Sequence, residues 1–207
     1  MLNAGRPKLF AFLFRPSNVS PALLEKLRAS IPEKRFVHTV GVAAEAARLA
    51  RLHGADPDRA ELAGWLHDCA KGIPVEDQVA TCDRLGVPLD DWTRACPPVV
   101  HGFLGAFLAR RDYGVEDEAV LQAIRRHTVG APGMTPLDKV VFVADLVEPG
   151  RAFDGVAELR ALAERDLDEA ILVSIERQLA LNAARRRPLH PAMLLVWNDI
   201  LAKKGKP

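Results

Sequence analysis

Trp65-Leu66-His67-Asp68-Cys69-Ala70-Lys71-Gly72 (WLHDCAKG) places an imidazole, a carboxylate and an ammonium within five residues of an otherwise apolar segment. Buried charge is costly unless it is paired or bound to a metal. The stretch is therefore either an exposed helix end or the wall of a binding site. Upstream, Asp56-Pro57 reads as an N-cap followed by proline in the first turn, and Gly72 with Pro74 reads as a stop. At about 100° per residue, Leu62, Trp65, Leu66 and Cys69 share one bulky face, expected to pack in the core. His67 points the other way, with Ala60, Ala63, Gly64 and Lys71 on its side. Those small residues leave room for another helix or a ligand. Asp68 and Lys71 flank His67 in the expected final turn.

The same helical punctuation runs along the chain. Periodicity predicts helices over about 21–30, 34–53, 99–112, 116–127, 155–165, 167–187 and 191–203. Another begins at Thr135-Pro136-Leu137-Asp138, which nearly completes a capping box. The longest loop, about 73–98, holds a short helix around Glu76–Leu85. Strand-like alternation, repeats and low-complexity tracts are absent from the sequence. The expected fold is an all-α helical bundle over 21–207, preceded by a loosely attached leader at 1–20.

A chain of 207 residues, 49% apolar and 27% charged, suffices for one domain with a sizeable core. A formal net charge of +1 gives no electrostatic footprint for nucleic acid. The run Arg185-Arg186-Arg187 reads as a solvated helix end near the negative pole of the helix dipole. Cys69, Cys82 and Cys96 are odd in number and in no metal-finger spacing, which points to a reducing compartment. No apolar run reaches the ~18 residues of a membrane span. The stretch Leu9 to Phe14 is cut off by Arg15 and Pro16, too short for a signal peptide. The expectation is a cytoplasmic protein with no membrane partner.

The remaining polar residues sharpen the question. His38, in EKRFVHTVGVAAEAARLA, lies on the side of Val42 and Leu49 and is expected to be buried; Arg35 lies one turn earlier. Asp145 follows the apolar run Val140 to Ala144, where a carboxylate needs a metal ion or an arginine as partner. His101 opens a helix after Pro97-Pro98, and His127 closes one before TVGAPG. His53, beside Gly54, reads as a structural helix-end cation, and the residues around His190 carry no signal of their own. Singly, each histidine reads as structural. Together, His, His-Asp and Asp on separate helices suit a metal site in a bundle core. Mixed imidazole and carboxylate donors favour iron, manganese or zinc over calcium or magnesium.

His38, His67-Asp68 and Asp145 resemble the H…HD…D signature of HD-domain metal-dependent phosphohydrolases. The surrounding pieces KRFVHTVGVA, AGWLHDCAKGIP, VVHGFLGAFLA, AIRRHTVGAPGM and LDKVVFVADLVEPGR resemble the YqeK-like branch, the symmetrical diadenosine-tetraphosphate (Ap4A) hydrolases. The resemblance covers about residues 21–203. It implies that His38, His67, Asp68 and Asp145 hold the metal, usually iron in this branch. It implies that Arg35, Asp68, Lys71, His101, His127, Thr128, Asp145, Arg151 and His190 surround the nucleotide and its phosphates. Catalytic roles then fall to Asp68, Lys71, His101 and His127, with His101 and His127 either assisting the departing ADP or holding a second metal. The implied reaction is symmetrical cleavage of Ap4A to two ADP, in a monomer or a homodimer. The alternatives are another HD-type nucleotidase or cyclic-nucleotide phosphodiesterase, or a nucleotide-sensing module whose metal is structural. A bare helical scaffold leaves His67-Asp68 and Asp145 unexplained.

Overall fold

A computed structural model of the chain describes residues 19–205. Among them eleven α-helices and two short 3-10 turns follow one another, with no strand. The helices are α1 (Pro21–Ser30), α2 (Glu33–His53), α3 (Pro57–Leu66), α4 (Val75–Leu85), α5 (Asp91–Ala95), α6 (Val100–Tyr113), α7 (Glu118–Arg126), α8 (Pro136–Val147), α9 (Val156–Ala163), α10 (Leu167–Ala184) and α11 (Pro191–Lys203). The all-α expectation holds. The leader at 1–20 lies outside the described residues except for Val19 and Ser20, and Ser20 is the N-cap of α1.

Local chemistry sets the ends. The Asp56 carboxylate accepts hydrogen bonds from the amides of Asp58 and Arg59, and Asp117 caps α7 in the same way. At α8 the capping box is complete: the Asp138 amide donates to Thr135 Oγ1, and the Thr135 amide donates to Asp138 Oδ2. Gly54, Gly86 and Gly114 stop α2, α4 and α6 in the left-handed region that favours glycine. Two segments depart from expectation. The loop at 73–98 contains α5 as well, because Asp90 caps it by accepting from the Thr93 amide. The helix expected to reach 187 ends at Ala184, and Arg186 turns the chain with φ 50°.

The long helix α2 runs through the middle of the bundle, packed on α3 and α8, while α7 bridges α6 and α8. α8 is apolar nearly all round and correspondingly enclosed: Val140, Val141, Val143 and Ala144 are fully buried. The small face of α3 lets α2 come close. A Cβ at position 64 would stand 2.7 Å from the Cα of Ala43, nearer than backbone tolerates. No helix among the described residues is long and apolar enough to cross a membrane.

Because the obstruction at Gly64 is main chain, Gly64→Ala should lower stability by about 1–3 kcal/mol through overpacking. A urea unfolding midpoint equal to that of the parent would show that the α2–α3 spacing relaxes freely.

Candidate active site

The opening motif is not one continuous helix. α3 ends at Leu66, His67 is its C-cap, Asp68 leaves helical geometry at φ −108°, ψ 16°, and Cys69–Gly72 form a 3-10 turn. The expectation that Asp68 and Lys71 lie in the last α-helical turn is thereby corrected. The physical consequence matters. In a regular helix neighbouring side chains diverge and do not face each other. Here the break brings His67 Nε2 within 3.5 Å of Asp68 Oδ2. Gly72 holds the turn against α1, since any Cβ there would collide with the Ser30 carbonyl.

Four histidines converge on this turn, and each is oriented through Nδ1. His67 Nδ1 donates to the Gly64 carbonyl at 2.7 Å, His101 Nδ1 to Pro98 at 2.8 Å, and His127 Nδ1 to Ile124 at 2.6 Å. His38 Nδ1 donates to Glu148 Oε1 at 3.1 Å. A carbonyl or carboxylate oxygen can only accept, so a proton sits on each Nδ1 and the ring turns its Nε2 inward, the atom that carries the lone pair when the imidazole is neutral. His38 Nε2 lies 2.9 Å from Asp145 Oδ1 but without hydrogen-bond alignment, and among the described residues neither His38 Nε2 nor His67 Nε2 has a hydrogen-bond partner. His101 Nε2 and His127 Nε2 face each other at 3.1 Å. Lone pairs so placed want a cation between them.

The two carboxylates complete the arrangement. Asp68 is buried and turns its oxygens two ways. Oδ2 faces His67 and, at 4.0 Å, His38; Oδ1 lies 3.3 Å from His101 Nε2 and 3.8 Å from His127 Nε2. Donor atoms of His38, His67 and Asp145 form one cluster within 4.8 Å, and those of His67, Asp68 and His127 form another. The donor set therefore fits a divalent metal: inward Nε2 atoms beside the buried Asp68 and the part-buried Asp145 carboxylates. Burial opposes the Asp68 charge, but His67, His101 and Lys71 hold its pKa well below the usual carboxylate range. Burial likewise opposes ionisation of Asp145, and the His38 contact and Arg151 keep it ionised. Burial, with the neighbouring His67, lowers the His127 pKa to about 4, and burial with His127 holds His101 well below its ordinary value.

Around this centre the structure gathers the other residues expected there. Arg35 donates to Asp68 Oδ2 at 2.8 Å, and Arg151 donates to Asp145 Oδ1 at 2.5 Å and to its carbonyl at 2.7 Å. The arginine partner foreseen for Asp145 thus exists beside the metal-type donors. Lys71 Nζ lies 3.9 Å from Asp68 Oδ1, and burial lowers its pKa. Thr128 Oγ1 is buried without a partner. A cavity of about 480 Å³ opens over the cluster and takes in Arg35, Lys71, His101, His127, Thr128 and Arg151. His190 borders it too, but both its nitrogens are engaged. Nδ1 accepts from the Ala192 amide as the N-cap of α11, and Nε2 meets Thr93 Oγ1 at 3.1 Å. His53 stands apart, with Nε2 2.7 Å from the Ala163 carbonyl.

Two participants escaped the sequence reading. Glu148 orients His38 and also accepts from the Gly150 amide at 2.5 Å. Gly41 makes room for it, because a Cβ there would overlap the Glu148 carboxylate. The available signal was its position one helical turn after Asp145. Arg187 was read as part of a solvated helix end; the chain reversal at Arg186 puts it on the cavity wall instead, with Gln178 and Asn182 of α10.

A model of the HD domain matches residues 35–150, which contain every donor of both clusters. Among curated proteins, the chain is 42% identical to a symmetrical bis(5'-nucleosyl)-tetraphosphatase of Bacillus subtilis, over 85% of this chain and 94% of that one. It is 37% identical to the protein of the same description from Halalkalibacterium halodurans, over 87% and 96%. A crystal structure of an HD superfamily hydrolase from Clostridium acetobutylicum, described as involved in NAD metabolism, superposes with a TM-score of 0.85 at 36% identity, covering 88% of this chain and 96% of that one. The chain belongs to the HD-domain family and, within it, to the family of symmetrical bis(5'-nucleosyl)-tetraphosphatases.

Asp145→Ala and His67→Ala should each abolish retention of metal while circular dichroism stays helical, since the helices are held mainly by the apolar core, although His67 is itself fully buried. Unchanged metal stoichiometry in both would remove these residues from the ligand set. Glu148→Ala should weaken metal affinity about 10–100-fold, as removal of an outer hydrogen bond to a ligating histidine does. Glu148→Gln should recover part of it, because the amide oxygen still accepts from His38 Nδ1.

Proposed function

We propose that the chain hydrolyses diadenosine tetraphosphate symmetrically, giving two ADP, with a divalent metal held by His38, His67, Asp68 and Asp145. The observation that carries this reading is a cluster of inward Nε2 atoms and the Asp68 and Asp145 carboxylates beside a cavity that Arg35, Lys71 and Arg151 line. Its support from relatives is the shared description of proteins matched along most of their length. Iron is the metal we assign first, and manganese or zinc suits the same donors. Three buried, unpaired cysteines agree with work in the reducing cytoplasm.

Cleaving a phosphoanhydride requires an activated water, neutralised phosphate charge and a stabilised leaving group. A divalent metal held by His38, His67, Asp68 and Asp145 would supply Lewis acidity, making water more acidic and polarising a phosphoryl oxygen. Asp68, with oxygens facing both clusters, orients the attacking water. Lys71 offers a compact charge to the phosphate chain, and Arg151 and Arg35 offer planar donors suited to bidentate contact. Thr128 Oγ1 has a free donor to give to phosphate or ribose. The new bond forms between water oxygen and one of the two central phosphorus atoms. The bond from that phosphorus to the bridging oxygen breaks, and the departing ADP keeps that oxygen.

A second reading concerns His101 and His127. Their neutral state and their facing Nε2 atoms favour cation binding over proton donation. With Asp68 Oδ1 they are the donors for a second metal. His101→Ala should then lose one metal ion per chain and keep the other. Unchanged metal content would return the pair to the role of assisting the leaving ADP.

Reaction in ¹⁸O-labelled water, followed by separation of nucleotides, tests the main reading. Label should enter ADP, with little AMP or ATP; AMP with ATP means asymmetric cleavage, and nucleoside with phosphate means a nucleotidase. Lys71→Ala should retain metal and lose about ten- to a hundredfold in ADP affinity, the worth of one charge-assisted contact. Wild-type affinity in that variant would reduce Lys71 to a solvated charge.

A further inference from the structure

A second cavity, of about 570 Å³, opens on the other side of the same centre. It shares Arg35, Lys71 and Arg151 with the first, so these cations form the waist between two hollows. His101, His127 and Thr128 line the first hollow, whereas His38 and Glu148 line the second. The outer part of the second is made by Pro32, Lys34 and Val37, at the start of α2. Lys34 and Val37 are three residues apart on the helix and so lie side by side. Val37 is 49% exposed, an aliphatic surface left open among the described residues. Arg35, Lys71 and Arg151 draw a phosphate chain to the waist, and the exposed aliphatic face of Val37 suits an uncharged group in the outer part.

Symmetrical cleavage imposes a matching requirement. With the central phosphoanhydride at the metal donors, a nucleoside must leave the waist in each of two directions. Each hollow falls within the range of small-ligand pockets. We infer that the hollow bounded by Pro32, Lys34 and Val37 seats the second nucleoside of a dinucleoside polyphosphate, whose phosphates cross Arg35, Lys71 and Arg151. The first hollow seats the other half. Val37 gives the base an apolar face, and Lys34 contacts the outermost phosphate or the ribose. The inference rests on the reading of the chain as a dinucleoside polyphosphate hydrolase.

The test uses the metal-loaded full chain carrying Lys34→Glu or Val37→Asp, neither itself one of the metal donors, with Lys34→Arg as the conservative control. Each of the first two should raise the KM for diadenosine tetraphosphate about tenfold or more. Metal content and the affinity of the tighter ADP site should stay at the parent's values, and Lys34→Arg should restore most of the KM. An unchanged KM in both variants overturns the second seat. So does an equal loss of ADP and dinucleotide affinity, which would put these residues in the first hollow. Should the parent fail to cleave the dinucleotide, the hydrolase reading falls, and direct titration of dinucleotide against ADP in the same variants still decides the seat.

Discussion

The structure depends on the hydrogen bond from Nδ1 of each of the four converging histidines, His38, His67, His101 and His127, to a fixed acceptor. Three of the acceptors are backbone carbonyls three residues earlier, released where a helix or 3-10 turn begins or ends. That local bond fixes both tautomer and ring direction, so the inward Nε2 atoms need no other side chain to aim them. Element ends therefore matter more here than helix faces. His67 sits at the end of α3, His127 at the end of α7 and His101 at the start of α6. His38 lies mid-helix, where the carbonyl four residues back is already used, and it takes the Glu148 carboxylate instead.

Close packing makes those ends meet. α2 and α3 approach at Gly64 and Ala43, and the ring centroids of His38 and His67 stand 5.4 Å apart across that contact. The 3-10 turn at Cys69–Gly72 rests on α1 through Gly72, which fixes where Asp68 points. Small residues thus set helix spacing, and the spacing sets the separation of the donors. A larger residue at Gly64 would act on the metal site as well as on stability.

Much of this was legible in the sequence because it is local. Apolar periodicity, caps and proline positions delimit most helices, and an aspartate after Val140–Ala144 signals a buried carboxylate that needs a partner. What was not legible depends on breaks and reversals. Apolar periodicity runs unbroken through WLHDCAKG, so nothing local announces that Asp68 leaves the helix. Glu148 resembled any polar residue beyond a helix end until α8 was set against His38 on α2. Arg187 could not be told from Arg185 and Arg186, since the turn at Arg186 separates them only in three dimensions. His190 shows the converse: its capping bond to α11 and its contact with Thr93 occupy both nitrogens, giving it a folding role that resemblance alone does not show.

The charges of the site bear on the order of events. Asp68, Asp145 and Glu148 stand against Arg35, Lys71 and Arg151, three carboxylates against three cations. Arg35 and Arg151 spend their donors on Asp68 and Asp145. A divalent cation held by the imidazoles would compete for those carboxylates and add positive charge to the centre. It would thereby free guanidinium donors for a phosphate chain. Metal and polyphosphate binding would in this way be coupled through two ion pairs, and such a coupling is reciprocal: each ligand would favour the other. The arginines that pair with Asp68 and Asp145 would then be the groups released toward substrate, which reconciles the two partners a carboxylate in such a helix can have.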